Sequence, residues 1–226
     1  MSDGLHRQAE PEIMDEAEEA YAYALADFAE VNAAFVERLR ELSSGRDTAV
    51  ALDLGTGPAD IPVRVARARP RWRIWAVDAS HAMLQLGLDA CKKANAAATI
   101  GLLLADAKSL PIRGHSMDVV FSNSILHHIT DTGLLWKEIK RVAKPGALVF
   151  LRDLARPGSA SDALDIVSKH AGNESPLLRE EYYRSLLSAY TVEEIVCQLD
   201  TAGLDALEVE QVTDRHLDVW GVIPAA

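Results

Sequence analysis

The chain of 226 residues has the length of a single domain, and its 49% hydrophobic and 25% charged residues are typical of an ordinary globular protein. This composition excludes a disordered or fibrous protein, and the apolar runs are far shorter than the roughly 18 residues that a membrane span needs. The net charge of −11 disfavours a nucleic-acid partner. Two distant cysteines, Cys91 and Cys197, fit no metal or redox spacing. With no secretory pattern at the start, we expect a cytoplasmic protein without a membrane contact.

The first 45 residues follow the pattern of one long amphipathic helix. Apolar residues recur at steps of three and four from Ile13 to Leu42, and the remaining positions are polar. The run Ser43–Gly45 predicts the end of this helix.

Between residues 46 and 157, short apolar runs alternate with helical stretches. This rhythm is typical of a parallel sheet with helices on both faces. The predicted strands are Ala49–Leu54, Trp72–Asp78, Thr99–Ala105, Asp118–Asn123 and Ala147–Asp153, and the predicted helices cover residues 59–69, 80–95 and 131–143.

The rhythm changes after Asp153. Residues 158–190 predict two helices joined around Gly172–Pro176, and a further helix covers Thr191–Ala202. Two closing strands, Ala206–Val212 and Arg215–Ile223, predict a hairpin. We therefore predict one doubly wound α/β domain, divided into an N-terminal helix (1–45), a core (46–157), a helical insertion (158–190), and a closing helix and hairpin (191–226).

A glycine-rich turn follows the first predicted strand. Gly55 and Gly57 allow a sharp bend and a close approach of a ligand, and the helix that follows offers free amide groups to it. Asp78 ends the next strand, where a carboxylate can bind both hydroxyls of a ribose. The combination indicates a cofactor that contains a nucleoside. A purely structural turn is the alternative.

The surrounding carboxylates favour a cationic cofactor over a dinucleotide. A nicotinamide fingerprint needs a third glycine at position 60, where this chain has Asp60. A carboxylate there would repel a pyrophosphate, and Asp53 before the glycines adds a second negative charge. A positively charged ligand with an amino-acid moiety suits these residues.

Five segments resemble, in order and spacing, the motifs of class I S-adenosylmethionine-dependent methyltransferases. The resemblance covers residues 49–153 and departs from the usual pattern at Ala59, which replaces a third glycine. It implies a seven-stranded, mostly parallel Rossmann-like sheet, with S-adenosylmethionine as cofactor and S-adenosylhomocysteine as product. The segments are Asp53–Gly57, Val77–Ser80, Ala105–Ala107 with Leu110 and Pro111, Asp118–His128, and Glu138–Gly146.

The same resemblance implies the cofactor-binding residues. Asp78 would hold the ribose, the Asp106 carboxylate would accept from the adenine amino group, and the Ala107 amide would meet the ring. A solvated Asp106 and a Met83 that only packs are the alternatives. The full predicted set is Asp53, Gly55, Thr56, Gly57, Asp78, Ala79, Met83, Asp106, Ala107, Ser122 and Asn123.

A histidine pair follows the fourth strand, at the sheet edge where such folds bind ligands. Histidine titrates near neutrality, so His127 and His128 are candidates for the base that deprotonates an acceptor, with Asp153 orienting one of them. His127 could instead only line the site as a wall, and we expect it also to contact the substrate. Arg152 could bind an acidic substrate group or form a structural Arg–Asp pair.

The N-terminal helix and the 158–190 insertion are the expected substrate cap. Residues 27–32 resemble the lid of the small-molecule, quinone-biosynthesis-like branch of the family. Tyr21 and Tyr23 lie near this lid and are candidates for substrate contact, with core packing as the alternative.

The predicted reaction is an in-line methyl transfer to a small molecule, with O-methylation of a hydroxyl favoured and nitrogen or carbon as other acceptors. A catalytically inactive scaffold or regulator that binds the cofactor is the alternative, and an RNA methyltransferase ranks below it. We expect no metal, since no ligand cluster is visible in the sequence, and a monomer or homodimer.

Overall fold

The computed structural model describes residues 5–12, 20, 21, 23, 24 and 28–224. Helices and strands are numbered here in chain order within these ranges. The helices are α1 (Ala29–Leu42), α2 (Asp60–Ala68), α3 (His81–Lys93), α4 (Thr132–Val142), α5 (Ala160–Ala171), α6 (Pro176–Ser188) and α7 (Val192–Ala202). The strands are β1 (Val50–Leu54), β2 (Arg73–Asp78), β3 (Ile100–Leu104), β4 (Met117–Asn123), β5 (Ala143–Leu154), β6 (Glu208–Gln211) and β7 (His216–Val222).

These strands form one seven-stranded sheet in the order β3-β2-β1-β4-β5-β7-β6. Strands β1 to β5 run parallel, while β7 lies antiparallel between β5 and β6. The predicted fold class, a doubly wound and mostly parallel α/β sheet, is confirmed. The order reverses direction at β1 and β4, and ligands bind at such a switch point beyond the carboxyl ends of the strands.

Two apolar layers cover the sheet. On one face, α1 to α3 pack through residues such as Phe35, whose ring stacks on Phe150 with centroids 4.7 Å apart. On the other face, α4 and α7 pack around Trp136, which donates a hydrogen bond from its indole nitrogen to Gln198 (3.0 Å). The central strands are buried on both sides, as their continuous apolar runs predict.

The predicted single N-terminal helix is wrong. Residues 20, 21, 23 and 24 are helical, but Phe28 has non-helical backbone angles, and α1 starts only at Ala29. Residues 13–19, 22 and 25–27 lie outside the described part of the chain. Leu5–Glu12, here called the N-terminal segment, is irregular and runs across the carboxyl edge of the sheet, where the Gln8 amide donates to the Leu187 carbonyl (3.0 Å).

The predicted helical pair between β5 and the closing helix is present as α5 and α6. Side-chain oxygens of Ser159 and Ser175 accept from the first turn of each helix, as N-caps do. Their apolar faces form a third cluster with Leu154 at the end of β5. The insertion therefore stands over the carboxyl edge of the sheet. None of the helices in the described ranges has the length and apolarity needed to span a bilayer.

Candidate active site

The glycine turn lies at the centre of the carboxyl edge, after β1. Gly55 and Gly57 have φ of 67° and 54°, in the left-handed region that favours glycine. A Cβ on Gly55 would lie 2.9 Å from the Ile125 side chain, whereas a Cβ on Gly57 would meet no atom within 4 Å. The turn thus combines a tightly packed glycine with one that borders open space.

Two buried polar groups beside this turn have no partner of good hydrogen-bond geometry within the described residues, Asp53 Oδ2 and Thr56 Oγ1. Burial raises the pKa of Asp53 to about 8, although the neighbouring Thr56 hydroxyl acts to lower it. A buried carboxylate with so little support is costly, and a cationic amino group would stabilise it. The set therefore fits the amino-acid part of S-adenosylmethionine.

Asp78 closes the turn from the end of β2. Its Oδ2 accepts from the Gly57 amide (2.7 Å) and its Oδ1 from the Ser80 amide (2.8 Å). Burial raises the pKa of Asp78 even though these amides stabilise its charge. Ala79 follows at once, and Ser80 caps α3 by accepting from the amide of the buried Met83 (3.1 Å). Each oxygen keeps a lone pair for a ribose hydroxyl.

The predicted adenine-binding loop after β3 is tied to the N-terminal segment. Asp106 is exposed and accepts from the Lys108 amide (2.8 Å), and Ala107 is buried. The Lys108 ammonium reaches Asp106 (3.3 Å) and Glu12 (2.6 Å). Glu12 also accepts from the Thr130 amide (2.8 Å). One lysine thus joins this loop to the segment that crosses the site.

Ser122 and Asn123 at the end of β4 are engaged within the protein. The buried Ser122 hydroxyl donates to the Leu54 carbonyl (2.6 Å), which ties β4 to β1. The Asn123 amide donates to Asn32 (3.3 Å), whose own amide donates to Asp60 (2.7 Å). Their predicted contact with the cofactor stays a prediction, since these side chains already hold α1 and β1 in place.

His127 and Asp153 form a buried pair at the same edge. His127 Nδ1 lies 2.5 Å from Asp153 Oδ1, and the Asp153 carboxylate also accepts from the Leu126 (2.6 Å) and Leu154 (2.7 Å) amides. Burial raises the pKa of Asp153, but the imidazole and the amides outweigh it and hold this pKa below its usual value. Burial lowers the pKa of His127, but the Asp153 charge outweighs it and the pKa is raised. The structure therefore unites two residues predicted as a base and its orienting acid.

Glu10 is the main site residue that the sequence did not predict. Its Oε1 lies 3.5 Å from His127 Nε2 and 3.0 Å from His128 Nδ1. Burial raises the pKa of Glu10, but the two imidazoles outweigh it and hold this pKa low. No cluster of metal-ligand residues is visible in the sequence, whereas in the structure Glu10, His127 and His128 converge. No sequence spacing marks Glu10, which lies far from the histidines along the chain.

Arg7 is a second missed residue, and it fastens the N-terminal segment. Its guanidinium donates to the carbonyls of Ser188 (2.6 Å) and His127 (2.9 Å) and lies 4.2 Å from the centroid of the Tyr190 ring. It thereby joins the segment to the end of α6 and to the backbone of the histidine pair.

The two candidate tyrosines differ in environment. Tyr21 is 58% exposed, so it does not pack in the core as its place in the apolar pattern suggested. Tyr23 is partly buried with its ring 4.9 Å from Phe28, and burial together with nearby carboxylates, including Asp153 and Asp78, raises its pKa to about 12. Tyr23 is therefore the better placed of the two for a ligand at this edge.

Arg152 makes the structural pair that the sequence left open. Its Nε and Nη2 donate to the two oxygens of the buried Asp218 (2.6 and 2.7 Å), directly across the β5–β7 register. A contact with an acidic substrate stays a prediction, and this ion pair already engages two of the guanidinium nitrogens.

One stretch of the chain matches a known family. Residues 52–151, 100 of the 226, match a family described as a methyltransferase domain. The predicted resemblance to methyltransferases is confirmed over this segment, which contains the glycine turn, Asp78 and the histidine pair.

Three similar proteins illustrate the extent of the likeness. Demethylmenaquinone methyltransferase from Roseiflexus sp. strain RS-1 is 33% identical over 47% of this chain and 43% of its own length. The 27-O-demethylrifamycin SV methyltransferase of Amycolatopsis mediterranei is 26% identical over 75% of this chain and 58% of its own. A crystal structure of a SAM-dependent methyltransferase from Aquifex aeolicus matches with a TM-score of 0.68 at 18% identity, over 90% of this chain and 97% of that one. The chain thus spans about half the length of these curated relatives, and the solved structure shares its fold.

Proposed function

We propose that this protein transfers the methyl group of S-adenosylmethionine to a small-molecule acceptor, with a hydroxyl as the favoured nucleophile. The observation that carries the proposal is the buried His127–Asp153 pair, which stands at the carboxyl edge together with the glycine turn. The relatives named above act, by their names, on a demethylmenaquinone and a demethylrifamycin, which supports a small organic acceptor.

The residues around the turn would hold the cofactor. Asp53 and Thr56 offer unpartnered oxygens to its amino-acid part, and Asp78 offers both carboxylate oxygens to its ribose. When bound, S-adenosylmethionine supplies a methyl group on a good leaving group. The protein therefore has mainly to position the acceptor and to exclude water.

His127 would take the proton of the acceptor. Asp153 accepts from Nδ1 and so leaves the lone pair on Nε2 for the acceptor hydroxyl. His127 Nε2 would receive the hydroxyl proton as the acceptor oxygen gains the methyl group, and S-adenosylhomocysteine would be the product that leaves. Glu10 now faces Nε2, so the acceptor enters only when the N-terminal segment moves away.

The variant Asp153→Asn tests the pair. The base works only when unprotonated, so activity of the parent falls as the pH drops through the raised pKa of His127. Removing the Asp153 charge lowers that pKa, which shifts the acid limb to lower pH. Loss of orientation lowers the rate above the limb by about 100-fold or more.

The assay measures S-adenosylhomocysteine release from pH 5 to 9 with a panel of hydroxylated, aminated and carbon-acid metabolites. His170→Gln is the matched control, since His170 pairs with Asp214 on the surface. Equal rates and pH limbs in parent and Asp153→Asn contradict the role of the pair. Tight S-adenosylhomocysteine binding without transfer to any metabolite favours the alternative, a cofactor-binding scaffold.

The acceptor partner is expected to be a free small molecule. The acidic net charge of −11 opposes a nucleic-acid acceptor. The same base at the carboxyl edge of the sheet would serve a nitrogen or carbon nucleophile, and mass spectrometry with NMR of the product identifies the methylated atom. The monomer or homodimer expected from the sequence stays a prediction.

A further inference from the structure

Three electron-pair donors converge where the N-terminal segment covers the histidine pair. Glu10 Oε1, His127 Nε2 and His128 Nδ1 all lie within 4.8 Å of one another. His127 is buried, and His128 Nδ1 is enclosed without a hydrogen bond of good geometry, although Glu10 lies 3.0 Å away. Lone pairs that face each other in this way repel unless a proton or a metal ion lies between them.

The hydrogen bond to Asp153 decides which nitrogen of His127 is free. Asp153 Oδ1 lies 2.5 Å from His127 Nδ1, so Nδ1 donates to Asp153 and Nε2 is the ring nitrogen left to bind a metal. This Nε2 atom lies 3.5 Å from a Glu10 oxygen. Two carboxylates, Glu10 and Asp153, therefore flank the imidazoles, and their negative charge favours a cation between Glu10 and the ring nitrogens.

We propose that Glu10, His127 and His128 form a binding site for a transition-metal dication of the Zn²⁺ type. Zinc bonds of roughly 2.0–2.1 Å to nitrogen or oxygen place neighbouring ligands of a tetrahedron about 3.3–3.5 Å apart. The observed separations of 3.5 and 3.0 Å come close to this spacing. Three protein ligands with one open position are a known zinc arrangement.

The outer contacts match those of a metal site as well. A histidine that binds a metal usually donates its other ring nitrogen to a carboxylate, which orients the ring and raises its basicity. Asp153 does this for His127. Two imidazoles among three donors favour Zn²⁺ or Co²⁺ over Mg²⁺ or Ca²⁺, which prefer oxygen.

The site exists only while the N-terminal segment is closed, because Glu10 is its sole ligand from that segment. A bound dication also occupies Nε2 of His127, the atom that the proposed function needs for the acceptor proton. Metal binding thus locks the segment over the site and opposes methyl transfer. This last consequence rests on the proposed function, whereas the metal site itself does not.

The test titrates the full chain, free of any histidine tag, with Zn²⁺ by calorimetry and with Co²⁺ by visible absorption. A Cys197→Ser background removes the exposed thiol as a competing ligand. Neither cofactor nor acceptor is present, so failure of the metal site and failure of the proposed function give different results. We expect one Zn²⁺ per chain, a Co²⁺ spectrum and no response to Mg²⁺.

Matched variants locate the site. His6→Ala removes an exposed imidazole of the same segment and leaves Arg7, Glu10 and Glu12 in place, so it keeps the parent affinity. Asp153→Asn weakens Zn²⁺ binding by about 10- to 100-fold, as expected for an outer-shell partner. Glu10→Ala removes a ligand and weakens it further.

Activity provides a separate readout. Zn²⁺ inhibits the parent, whereas the rate of Glu10→Ala, compared with its own rate in the absence of metal, is far less sensitive to Zn²⁺. The absence of Zn²⁺ and Co²⁺ binding overturns the proposal. So does binding that is equal in the parent, Glu10→Ala and His128→Asn, since the metal then lies elsewhere.

Discussion

At the scale of single residues, the site separates positions that hold the fold from positions that face a ligand. Gly55 packs against Ile125, whereas Gly57 borders open space, although both have left-handed backbones. Ser122 and Asn123 belong to the positions that hold the fold, since their side chains form hydrogen bonds within the protein. The unpartnered oxygens of Asp53 and Thr56 mark the side left for the cofactor.

The two glycines give a residue-scale prediction. Alanine in a left-handed conformation costs about 1–2 kcal/mol at either position. At Gly55 the new methyl also overlaps Ile125, which adds about 1–3 kcal/mol of overpacking. Gly55→Ala therefore loses more stability in urea unfolding than Gly57→Ala. By contrast, Gly57→Ala weakens S-adenosylhomocysteine binding by about tenfold or more, or 1.4 kcal/mol, with a modest loss of stability.

Calorimetric titration with S-adenosylhomocysteine and urea unfolding of both variants check this pair. If Gly57→Ala binds as tightly as the parent, the space beside Gly57 does not receive the cofactor. If Gly55→Ala is as stable as Gly57→Ala, the contact with Ile125 has no energetic weight.

Local motifs made part of this site predictable from the sequence. Gly55 and Gly57 follow the end of β1, and Asp78 ends β2. The parallel pairing of these strands brings their carboxyl ends together. His127 follows the end of β4 and Asp153 lies near the end of β5, and the parallel pairing of β4 with β5 brings them together in the same way. Glu10 could not be predicted, because it is one of many acidic residues near the start of the chain. It also lies in an irregular segment, where no helical or strand periodicity indicates which way a side chain faces.

At the scale of elements, the N-terminal segment lies across the carboxyl edge of the sheet and is held there by its side chains. Arg7, Glu10 and Glu12 bind the end of α6, the histidine pair and Lys108 in turn. The spacing of apolar residues predicted one long helix before residue 45. A helical period shows only which positions favour burial. In the structure Phe28 interrupts the helix, and residues 5–12 form bonds to loops.

We expect the variant Arg7→Ala to loosen the N-terminal segment. This change removes charged hydrogen bonds to two buried carbonyls, each worth about 1.5–3 kcal/mol. Opening of the N-terminal segment should therefore become about tenfold or more frequent. Limited proteolysis followed by mass spectrometry measures cleavage within residues 5–12.

The exposed neighbour His6 supplies the control for this measurement. His6→Ala leaves the bonds of Arg7 in place and should be cut at the parent rate. Equal cleavage of Arg7→Ala and His6→Ala would show that the Arg7 guanidinium does not hold the N-terminal segment in place.

The strands and helices of the core were predicted to within a few residues, with β5 as an exception. It begins at Ala143 rather than at Ala147, because Ala143 pairs with Met117 before a register shift along β4. A lysine-proline-glycine run that ends a helix gives no sign that the chain continues directly into a strand.

At the scale of the whole molecule, ligand binding and folding are linked. A ligand that binds only the folded chain stabilises it by about 2.7 kcal/mol at 100 times its dissociation constant. For a domain of this size, 1 kcal/mol shifts Tm by about 2–4 °C. S-adenosylhomocysteine at that concentration should therefore raise Tm by about 5–11 °C.

A nicotinamide dinucleotide at the same concentration is the control. We expect no shift from it, because Asp60 stands where the dinucleotide fingerprint has its third glycine and its carboxylate opposes the pyrophosphate. A rise in Tm with the dinucleotide, and none with S-adenosylhomocysteine, contradicts the assignment of the cofactor.

The bond from Gln8 to Leu187 has a consequence for biosynthesis. The ribosome makes residues 5–12 about 180 residues before their partners Leu187 and Ser188. At about 5–20 residues per second, the N-terminal segment waits roughly 10–40 seconds for these partners. A nascent chain therefore leaves the histidine pair uncovered until α6 has been made.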